Sequence, residues 1–270
     1  MQQGGGNPLH RSCLKWIGIM LAVCLTIPPH AKVRAEKTAP NVVKNRAYYE
    51  SRGDILWEVP TDKKVVALTF DDGPDATRTA LILDLLKQYD AKATFFVLGK
   101  KVERYPDLVL REMREGHEIA NHTYSHSMNK TKSIPFMMEE IRKTQNIILE
   151  VTGQRPRLYR PPGGIYNETL VRESRKEGLL TVMWSWHQDT RDWARPGTYK
   201  IVNKVLGNIR NGDIILFHDH VIGSMQTVEA LKIIIPALKE QGYKFVTVSD
   251  LIQYDERYKS VEHLHPVRRN

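Results

Sequence analysis

From residue 63 onward, short apolar runs alternate with longer segments whose apolar residues recur at helical spacing. This alternation predicts an α/β protein in which parallel strands are joined by helical crossovers. We expect seven strands, at 65–70, 93–98, 117–120, 157–160, 180–186, 213–218 and 244–248. We expect five helices, at 77–88, 106–115, 136–151, 198–210 and 227–241. Such a sheet could close into an incomplete (β/α) barrel, and a doubly wound open sheet is the competing topology.

The first 35 residues have the features of a signal peptide. A basic start is followed by an apolar run over 16–27, which two prolines end, and a Val-Arg-Ala sequence ending at Ala35 places small residues where a signal peptidase reads them. The run is short for a bilayer-spanning helix, so we expect cleavage, with an uncleaved membrane anchor as the alternative. Both cysteines, Cys13 and Cys24, lie in this segment. The mature protein would therefore contain no disulfide.

The rest of the chain divides into three parts by composition. Residues 36–62 are polar and irregular and are expected to form an N-terminal extension or linker, the alternating pattern spans 63–254, and 255–270 is a polar tail. The apolar fraction of 41% and the charged fraction of 26% are ordinary for a globular protein and argue against disorder. The net charge of +9 favours contact with anionic surfaces or polymers. Nucleic acid is not an expected partner, because the chain has a secretion signal and no recognised nucleic-acid-binding motif.

Polar side chains follow four of the predicted strands at the point where each strand ends. The four clusters are Asp71-Asp72, Asn121-His122, Arg160 with the Pro-Pro-Gly-Gly after it, and His218-Asp219. The C-terminal ends of parallel strands share one rim of the sheet, where active sites of such folds lie. Because neighbouring side chains on an extended segment point in different directions, Asp71 and Asp72 could divide the roles of base and metal ligand. An Asx turn before Gly-Pro would also account for the pair.

His122 and His126 are four residues apart in the sequence HTYSH. On a helical turn this spacing places both imidazoles on one face, within reach of one cation. Two histidines and an aspartate, with no cysteine, suit a divalent transition metal that keeps open positions for water and substrate. The spacing alone also fits two surface histidines, and the same ligand types suit the Fe(II) of a non-haem oxygenase. Alternating strands and helices argue against the oxygenase, since those enzymes draw their ligands from a β-sandwich.

Five short motifs occur in a fixed order along the chain: TFDDGP at 69–74, HTYSH at 122–126, RPPGG at 160–164, DTRDW at 189–193 and LFHD at 216–219. Together they resemble the motifs of the polysaccharide deacetylase family, the carbohydrate esterases of family 4 that share the NodB homology domain. The resemblance covers about residues 63–254. It implies a distorted, incomplete (β/α) barrel with about seven parallel strands.

The resemblance also implies a metal site and a catalytic base. The family pattern makes Asp72, His122 and His126 the ligands of one divalent ion, expected to be zinc, with cobalt, manganese or nickel as alternatives. Asp71 would be the general base for the attacking water, and Arg160 would pair with that base and orient it.

An acid and an acetyl pocket follow from the same resemblance. His218 would protonate the leaving amine, and Asp192 would orient and charge that histidine. The backbone N–H of Gly163 would help to hold the oxyanion, and Trp193 and Leu216 would line the acetyl pocket. Gly163 departs from the pattern, since many members carry a bulkier residue there, often tyrosine, so one wall of the substrate groove is expected to be missing.

These residues imply a metal-dependent N-deacetylase of an amino-sugar polysaccharide. A catalytically silent glycan-binding member of the fold is less favoured, because the base, the acid and the ligands are all present. A secretion signal on a basic, disulfide-free domain suits an anionic bacterial wall, so we expect peptidoglycan as the substrate, with chitin oligomers or poly-N-acetylglucosamine as alternatives. The protein is expected to be secreted or associated with the cell wall, and no stable protein partner is implied.

Overall fold

The structure is a computed structural model that describes residues 44–128 and 130–255. Within these ranges the strands are β1 (Ile55–Leu56), β2 (Val65–Asp71), β3 (Ala93–Val97), β4 (Glu118–Asn121), β5 (Leu158–Tyr159), β6 (Leu180–Val182), β7 (Ile214–His218) and β8 (Lys244–Phe245). The helices are α1 (Arg46–Ser51), α2 (Arg78–Gln88), α3 (Gly99–Arg104), α4 (Pro106–Arg114), α5 (Ile134–Thr152), α6 (Glu168–Lys176), α7 (Thr198–Leu206), α8 (Gln226–Glu240) and α9 (Val248–Ile252).

Seven strands form one parallel path in the order β1-β6-β5-β4-β3-β2-β7, and the short β8 pairs with β2. Strands β2 to β6 are neighbours in chain order, without the reversal that marks a doubly wound sheet. The two edges of the path meet at an isolated antiparallel bridge between Glu58 and Asp213. The expected distorted, incomplete (β/α) barrel with about seven parallel strands is therefore confirmed.

Strand β2 is buried along its whole length, and its residues alternate between the two faces of the sheet. Val66, Leu68 and Phe70 point toward the surrounding helices and belong to the largest apolar cluster. The ring of Phe70 stacks on Phe95 and Phe217 of the neighbouring strands, with centroids 5.1 and 5.8 Å away. The alternate residues of β2 face the barrel interior, and this inner series ends at the buried carboxylate of Asp71. Because Asp71 is the last residue of β2, its carboxylate lies at the rim of the barrel.

Residues 46–59, expected to belong to a polar extension, form α1 and β1 and pack into the fold. Tyr49 and Trp57 are only 1% exposed, and both contact the ring of Tyr166 edge-on. β1 has two residues, too few for a periodic pattern to predict it. Residues 1–35, which carry the signal-peptide prediction, lie outside the described ranges, as does the tail apart from Asp255.

All five expected helices are present, and α1, α3, α6 and α9 were not anticipated. The strand expected at 244–248 is shorter, because Thr247 caps the N-terminus of α9 by accepting the backbone N–H of Asp250. Over the described residues, no helix combines the length and apolarity needed to cross a bilayer.

Candidate active site

The predicted site residues converge on the C-terminal rim of the barrel, because two pairs of adjacent strands, β7 with β2 and β4 with β5, end there on either side of β3. Asp71 is the last residue of β2 and His218 the last of β7, and these two residues are paired in register. His122 directly follows β4 and Arg160 directly follows β5. Asp192 comes from a loop and reaches the rim through hydrogen bonds to His218.

Asp72, His122 and His126, here called the metal triad, form a group whose ligand atoms all lie within 4.8 Å of one another. Asp72 Oδ1 is 3.2 Å from His126 Nε2 and 3.6 Å from His122 Nε2. Ligands about 2.0–2.1 Å from a tetrahedral ion are roughly 3.3 Å apart, so the spacing fits one such ion. Asp72 Oδ1 is buried and makes no hydrogen bond among the described residues. A buried carboxylate oxygen without a donor fits a bound cation.

The backbone of the metal triad is locally strained. Asp72 has φ of 74° and His126 has φ of 66°, in the left-handed region that is costly for residues with a side chain. The segment from His122 to His126 is a loop, so the helical turn expected from the spacing is not formed. The two imidazoles still approach, with ring centroids 5.2 Å apart. The spacing predicted their proximity correctly but not the backbone that produces it.

His122 is held in the form that a metal ligand requires. Its Nδ1 lies 2.7 Å from the carbonyl oxygen of Arg160, and because a carbonyl only accepts, Nδ1 carries the hydrogen. Nε2, on the side of the ring that faces Asp72, then carries the lone pair that a metal ion would accept. Burial lowers the pKa of His122 to about 3, so the imidazole is neutral at physiological pH.

Asp71 is buried and bound to a fixed cation. Arg160 Nη1 donates to Asp71 Oδ1 at 2.7 Å and to Thr69 Oγ1 at 2.9 Å. Burial raises the pKa of Asp71 above its ordinary value and outweighs the opposing effect of Arg160. The charge of Arg160 alone would have predicted the opposite direction. A carboxylate with a raised pKa is better able to accept a proton near neutral pH.

The guanidinium of Arg160 is fixed on all sides. Nη2 donates to the carbonyl oxygen of Met183 at 2.7 Å, and Nε donates to that of Val182 at 3.2 Å. The guanidinium also lies 4.0 Å from the ring centroid of Phe96. Arg160 is fully buried, so its position is set by the end of β6 and cannot adjust to solvent.

His218 and Asp192 form a second charged pair on the rim. His218 Nδ1 is 2.7 Å from Asp192 Oδ1, and the backbone N–H of His218 donates to Asp192 Oδ2 at 2.8 Å. The hydroxyl of Thr227 and the backbone N–H of Trp193 also donate to this fully buried carboxylate. Burial lowers the pKa of His218, but Asp192, with the charges of Asp71 and Asp72, outweighs it and raises the pKa to about 9. The ring is therefore a cation at neutral pH, with Nε2 as its free donor.

The predicted substrate-contacting residues surround the same rim. Gly163 has φ of 62° in a short 3₁₀ turn, and its backbone N–H makes no hydrogen bond among the described residues. Leu216 is buried and lies on the same face of β7 as His218, two residues before it. Trp193 is 56% exposed and follows Asp192 directly. Each of the three therefore lies within three residues of a member of the charged pairs on the rim.

Sequence reasoning missed a buried residue that supports the turn after β2. Asp219 donates its backbone N–H to the carbonyl oxygen of Asp71 at 3.2 Å, and its side chain accepts the hydroxyl of Thr79. Its carboxylate packs so closely on Gly73 that a Cβ at position 73 would overlap it. Burial raises the pKa of Asp219 to about 7. The available signal in the sequence was Gly73, between Asp72 and a proline. A glycine at such a position indicates that another group packs closely against the backbone, where a side chain would not fit.

A second group of potential ligands, Glu58, His187 and Asp213, lies where the two edges of the sheet meet. His187 Nε2 is 2.9 Å from Asp213 Oδ1, and Arg46 Nη2 is 2.8 Å from Glu58 Oε1. Because a guanidinium already neutralises one carboxylate, this group is an ion-pair network that joins the edges.

Comparison with known proteins agrees with this geometry. The family model for polysaccharide deacetylases matches residues 58–182. The chain is 48% identical over 209 residues to a peptidoglycan-N-acetylglucosamine deacetylase of Bacillus cereus, and the match covers 77% of the chain and 98% of the relative. It is 40% identical over 193 residues to the peptidoglycan-N-acetylmuramic acid deacetylase PdaC of Bacillus subtilis, covering 72% of the chain and 40% of that protein.

Among solved structures, the crystal structure of the Bc1960 peptidoglycan N-acetylglucosamine deacetylase superposes with a TM-score of 0.72 at 39% identity. The match covers 78% of the chain and 97% of that structure. The sequence identity covers nearly the whole length of the Bacillus cereus relative and of the solved structure, and the solved structure has the same barrel. The similarity therefore includes the entire domain and not only the five motifs. The chain therefore belongs to the polysaccharide deacetylase family, as its five motifs predicted.

Proposed function

We propose that this protein is a metal-dependent hydrolase that removes N-acetyl groups from the amino sugars of peptidoglycan. The observation that carries the proposal is the grouping of three units on one rim: the metal triad, the Asp71–Arg160 pair and the His218–Asp192 pair. A ligand group, a base and an acid are the parts that amide hydrolysis by water requires. A silent glycan-binding protein would have no need for all three.

A divalent ion held by the metal triad would act as a Lewis acid toward the acetyl carbonyl. Asp71 accepts a proton from the attacking water, and Arg160 keeps its carboxylate oriented. The N–H of Gly163 donates to the oxyanion of the tetrahedral intermediate. Nε2 of His218 gives its proton to the departing amine, so the C–N bond breaks and acetate and a free amino group are released. Leu216 and Trp193 contact the acetyl methyl group.

The pKa directions support this division of labour. A base must be deprotonated before the reaction and an acid must be protonated, and each works best with a pKa near the working pH. The raised pKa of Asp71 strengthens it as a base, and the raised pKa of His218 keeps it protonated above neutrality. Fixed partners hold both groups, so little reorganisation is needed during the reaction.

We propose zinc as the ion, with cobalt, manganese or nickel able to replace it. Two imidazoles and one carboxylate are ligands that zinc binds in catalytic sites with an open position. The residues that the structure describes include no cysteine that would select a softer ion.

Peptidoglycan is proposed as the substrate because of the charge and the relatives. The chain carries a net charge of +9, and the relatives described above are named for deacetylation of peptidoglycan. The relative that is covered almost completely is named for N-acetylglucosamine, so we propose that sugar before N-acetylmuramic acid. Chitin oligomers remain the alternative substrate, since they present the same acetamide on a neutral chain.

The decisive experiment compares products by mass spectrometry after zinc-loaded protein acts on purified peptidoglycan and on chitin oligomers. Loss of one acetyl group per reacted sugar in the peptidoglycan product would support the proposal, and fragmentation identifies the sugar. Asp71→Asn protein with the same zinc content serves as the inactive control. No acetyl loss from peptidoglycan alongside rapid acetyl loss from chitin oligomers would contradict the substrate assignment.

We also propose that the mature protein acts at the cell wall after cleavage of the signal peptide near Ala35. N-terminal sequencing of material outside the membrane should begin near Glu36. A wall-associated form that still carries the apolar run at 16–27 would show instead that the segment is an anchor.

A further inference from the structure

A groove of about 420 Å³ lies between helix α7 and the segment 186–191 and has no part in the chemistry above. Its volume is in the usual range of ligand pockets, about 300–1,000 Å³. The groove is lined by Trp186, Asp189, Thr190, Arg191, Pro196, Lys200 and Lys204. Residues 189–191 run directly into Asp192, and Asp189 bridges to Leu216 of β7. The groove therefore adjoins the active site along the outside of β7.

The groove has an excess of positive charge. Arg191, Lys200 and Lys204 form no ion pair among the residues that the structure describes. The one acidic side chain there is Asp189, whose Oδ1 accepts the backbone N–H of Arg191 at 3.1 Å. Lys200 and Lys204 are one turn apart on α7, where like charges repel and destabilise a helix. The two lysines therefore repel each other, although Lys204 also lies in the last turn of α7, where a cation is favourable. An anion in the groove would relieve the repulsion.

An exposed aromatic ring completes the groove. Trp186 is 64% exposed, although tryptophan gains much free energy from burial. The guanidinium of Arg46 lies 5.3 Å from its ring centroid. A flat apolar ring beside unpaired cations suits a ligand that joins a sugar ring to an acidic group.

We propose that this groove binds a carboxylate-bearing part of the glycan strand close to the sugar that is deacetylated. The inference rests on the proposed function, since peptidoglycan carries a lactyl carboxylate on each N-acetylmuramic acid that has no peptide attached and peptide carboxylates elsewhere, whereas chitin oligomers carry none. Lysine and arginine bind carboxylates by charge-assisted hydrogen bonds. The groove would thereby favour acidic glycans over neutral ones without any contact to the acetyl group.

The test replaces both helix lysines, Lys200→Glu and Lys204→Glu, in the full zinc-loaded chain. We measure kcat/KM on peptide-bearing glycan strands, on peptide-free glycan strands and on chitin oligomers of matched length. The ratio of kcat/KM for acidic over neutral substrates should fall by about tenfold, mainly through KM, because two charge contacts become repulsive. The preference of the unmodified protein should also weaken as salt rises, since the contacts are partly exposed.

The matched control is the double variant Arg172→Glu and Lys176→Glu, which makes the same charge change on the exposed face of α6. It should keep the substrate ratio of the unmodified protein. Equal losses in both double variants would show that overall charge, and not the groove, sets the preference. An unchanged ratio in the groove variant would overturn the proposal.

A second variant covers the case of misfolding, and a comparison of substrates identifies the carboxylate that is bound. If the glutamate variant does not fold, Lys200→Gln with Lys204→Gln removes the charges without adding repulsion and should lower the ratio in the same direction. A loss on peptide-free strands identifies the lactyl carboxylate as the bound group, and a loss only on peptide-bearing strands identifies the peptide carboxylates. Failure of the proposed function is distinct, because the unmodified protein would then release no acetate from either wall substrate.

A binding measurement is independent of turnover. The zinc-loaded double variant Asp71→Asn with Trp193→Phe has no tryptophan at the acetyl pocket. Peptide-free glycan strands added to it should change the remaining tryptophan fluorescence, and a further Trp186→Phe substitution should remove that change. A signal of the same size in the Trp186→Phe protein, or one that chitin oligomers produce equally, would place the binding elsewhere.

Discussion

Replacing Asp192 by asparagine should shift the alkaline limb of the pH–rate profile to lower pH. The pKa of His218 is about 9, against 6.5 for an ordinary histidine, which corresponds to about 3 kcal/mol in favour of the charged ring. Asp192 supplies the largest of the effects that raise this pKa. Because a general acid works only while protonated, activity is present below this pKa and lost above it. Removing the carboxylate charge should therefore lower the limb by roughly 1–2 pH units.

The assay is kcat/KM against pH for the intact protein and the Asp192→Asn variant, at matched metal content. We expect the variant to lose about 10²–10⁴-fold in rate at neutral pH, the range that an oriented acid contributes. Thr227→Val is the matched control, since it removes one hydrogen bond from Asp192 but leaves its charge. That control should keep the limb of the intact protein. An alkaline limb that stays in place in Asp192→Asn would refute the pairing as the source of the raised pKa.

The His218–Asp192 pair should also make the free energy of unfolding depend on pH. A raised pKa in the folded state stabilises the fold fully below the ordinary pKa of about 6.5, and this contribution is lost as pH rises through about 9. Asparagine also leaves at least one of the buried donors to Asp192 without an acceptor, which costs about 1–3 kcal/mol. Urea unfolding of metal-free protein should thus show a larger loss for Asp192→Asn at pH 6 than at pH 10.

Three further substitutions test the rest of the rim. Asp71→Asn should lower turnover by about 10²-fold or more while metal analysis still finds one ion, and near-normal turnover at matched metal content would exclude Asp71 as the base. His126→Ala should lose metal and activity together while the circular dichroism spectrum is unchanged, and full metal occupancy would contradict its place in the metal triad. Gly73→Ala should weaken metal binding because the new Cβ meets the carboxylate of Asp219, whereas Gly153→Ala, with open space around it, should leave metal binding intact.

The sequence predicted β2, β3 and β7 well, because each is a short apolar run ended by polar or turn residues. The ranges predicted for β6 and β8 were too long. The sequence did not predict β1, since two residues cannot show a period and the surrounding segment is polar. The presence of Trp57 and Tyr49 was the available signal in the sequence, because large aromatic side chains in a polar segment usually pack against other residues. In the structure both side chains are buried. Tertiary contacts with Tyr166, more than 100 residues away, hold this segment in place.

The resemblance to the family's motifs indicated which residues make up the candidate site, but it did not indicate their contacts. The left-handed backbone at Asp72 and His126 depends on packing that the motif spacing does not contain. Thr69 is a polar residue inside an apolar strand, and this was a signal for its hydrogen bond to Arg160. The raised pKa of Asp71 needed the structure, because burial opposes the charge of Arg160 and only the buried geometry shows which effect is larger.

The surroundings of Gly163 differ from what the sequence alone predicts. From the sequence, the missing side chain predicts an open wall in the substrate groove. In the structure, a Cβ on Gly163 would lie 3.6 Å from Met128 Cε and 3.7 Å from Ile165 Cδ1. Met128 belongs to the loop that follows the two triad histidines and is 40% exposed. Because that loop is not the helical turn expected from the spacing, no sequence pattern could have placed Met128 there. A flexible thioether therefore lies beside the position where the sequence predicts an open wall, and a thioether adapts to its surroundings more readily than an aromatic ring.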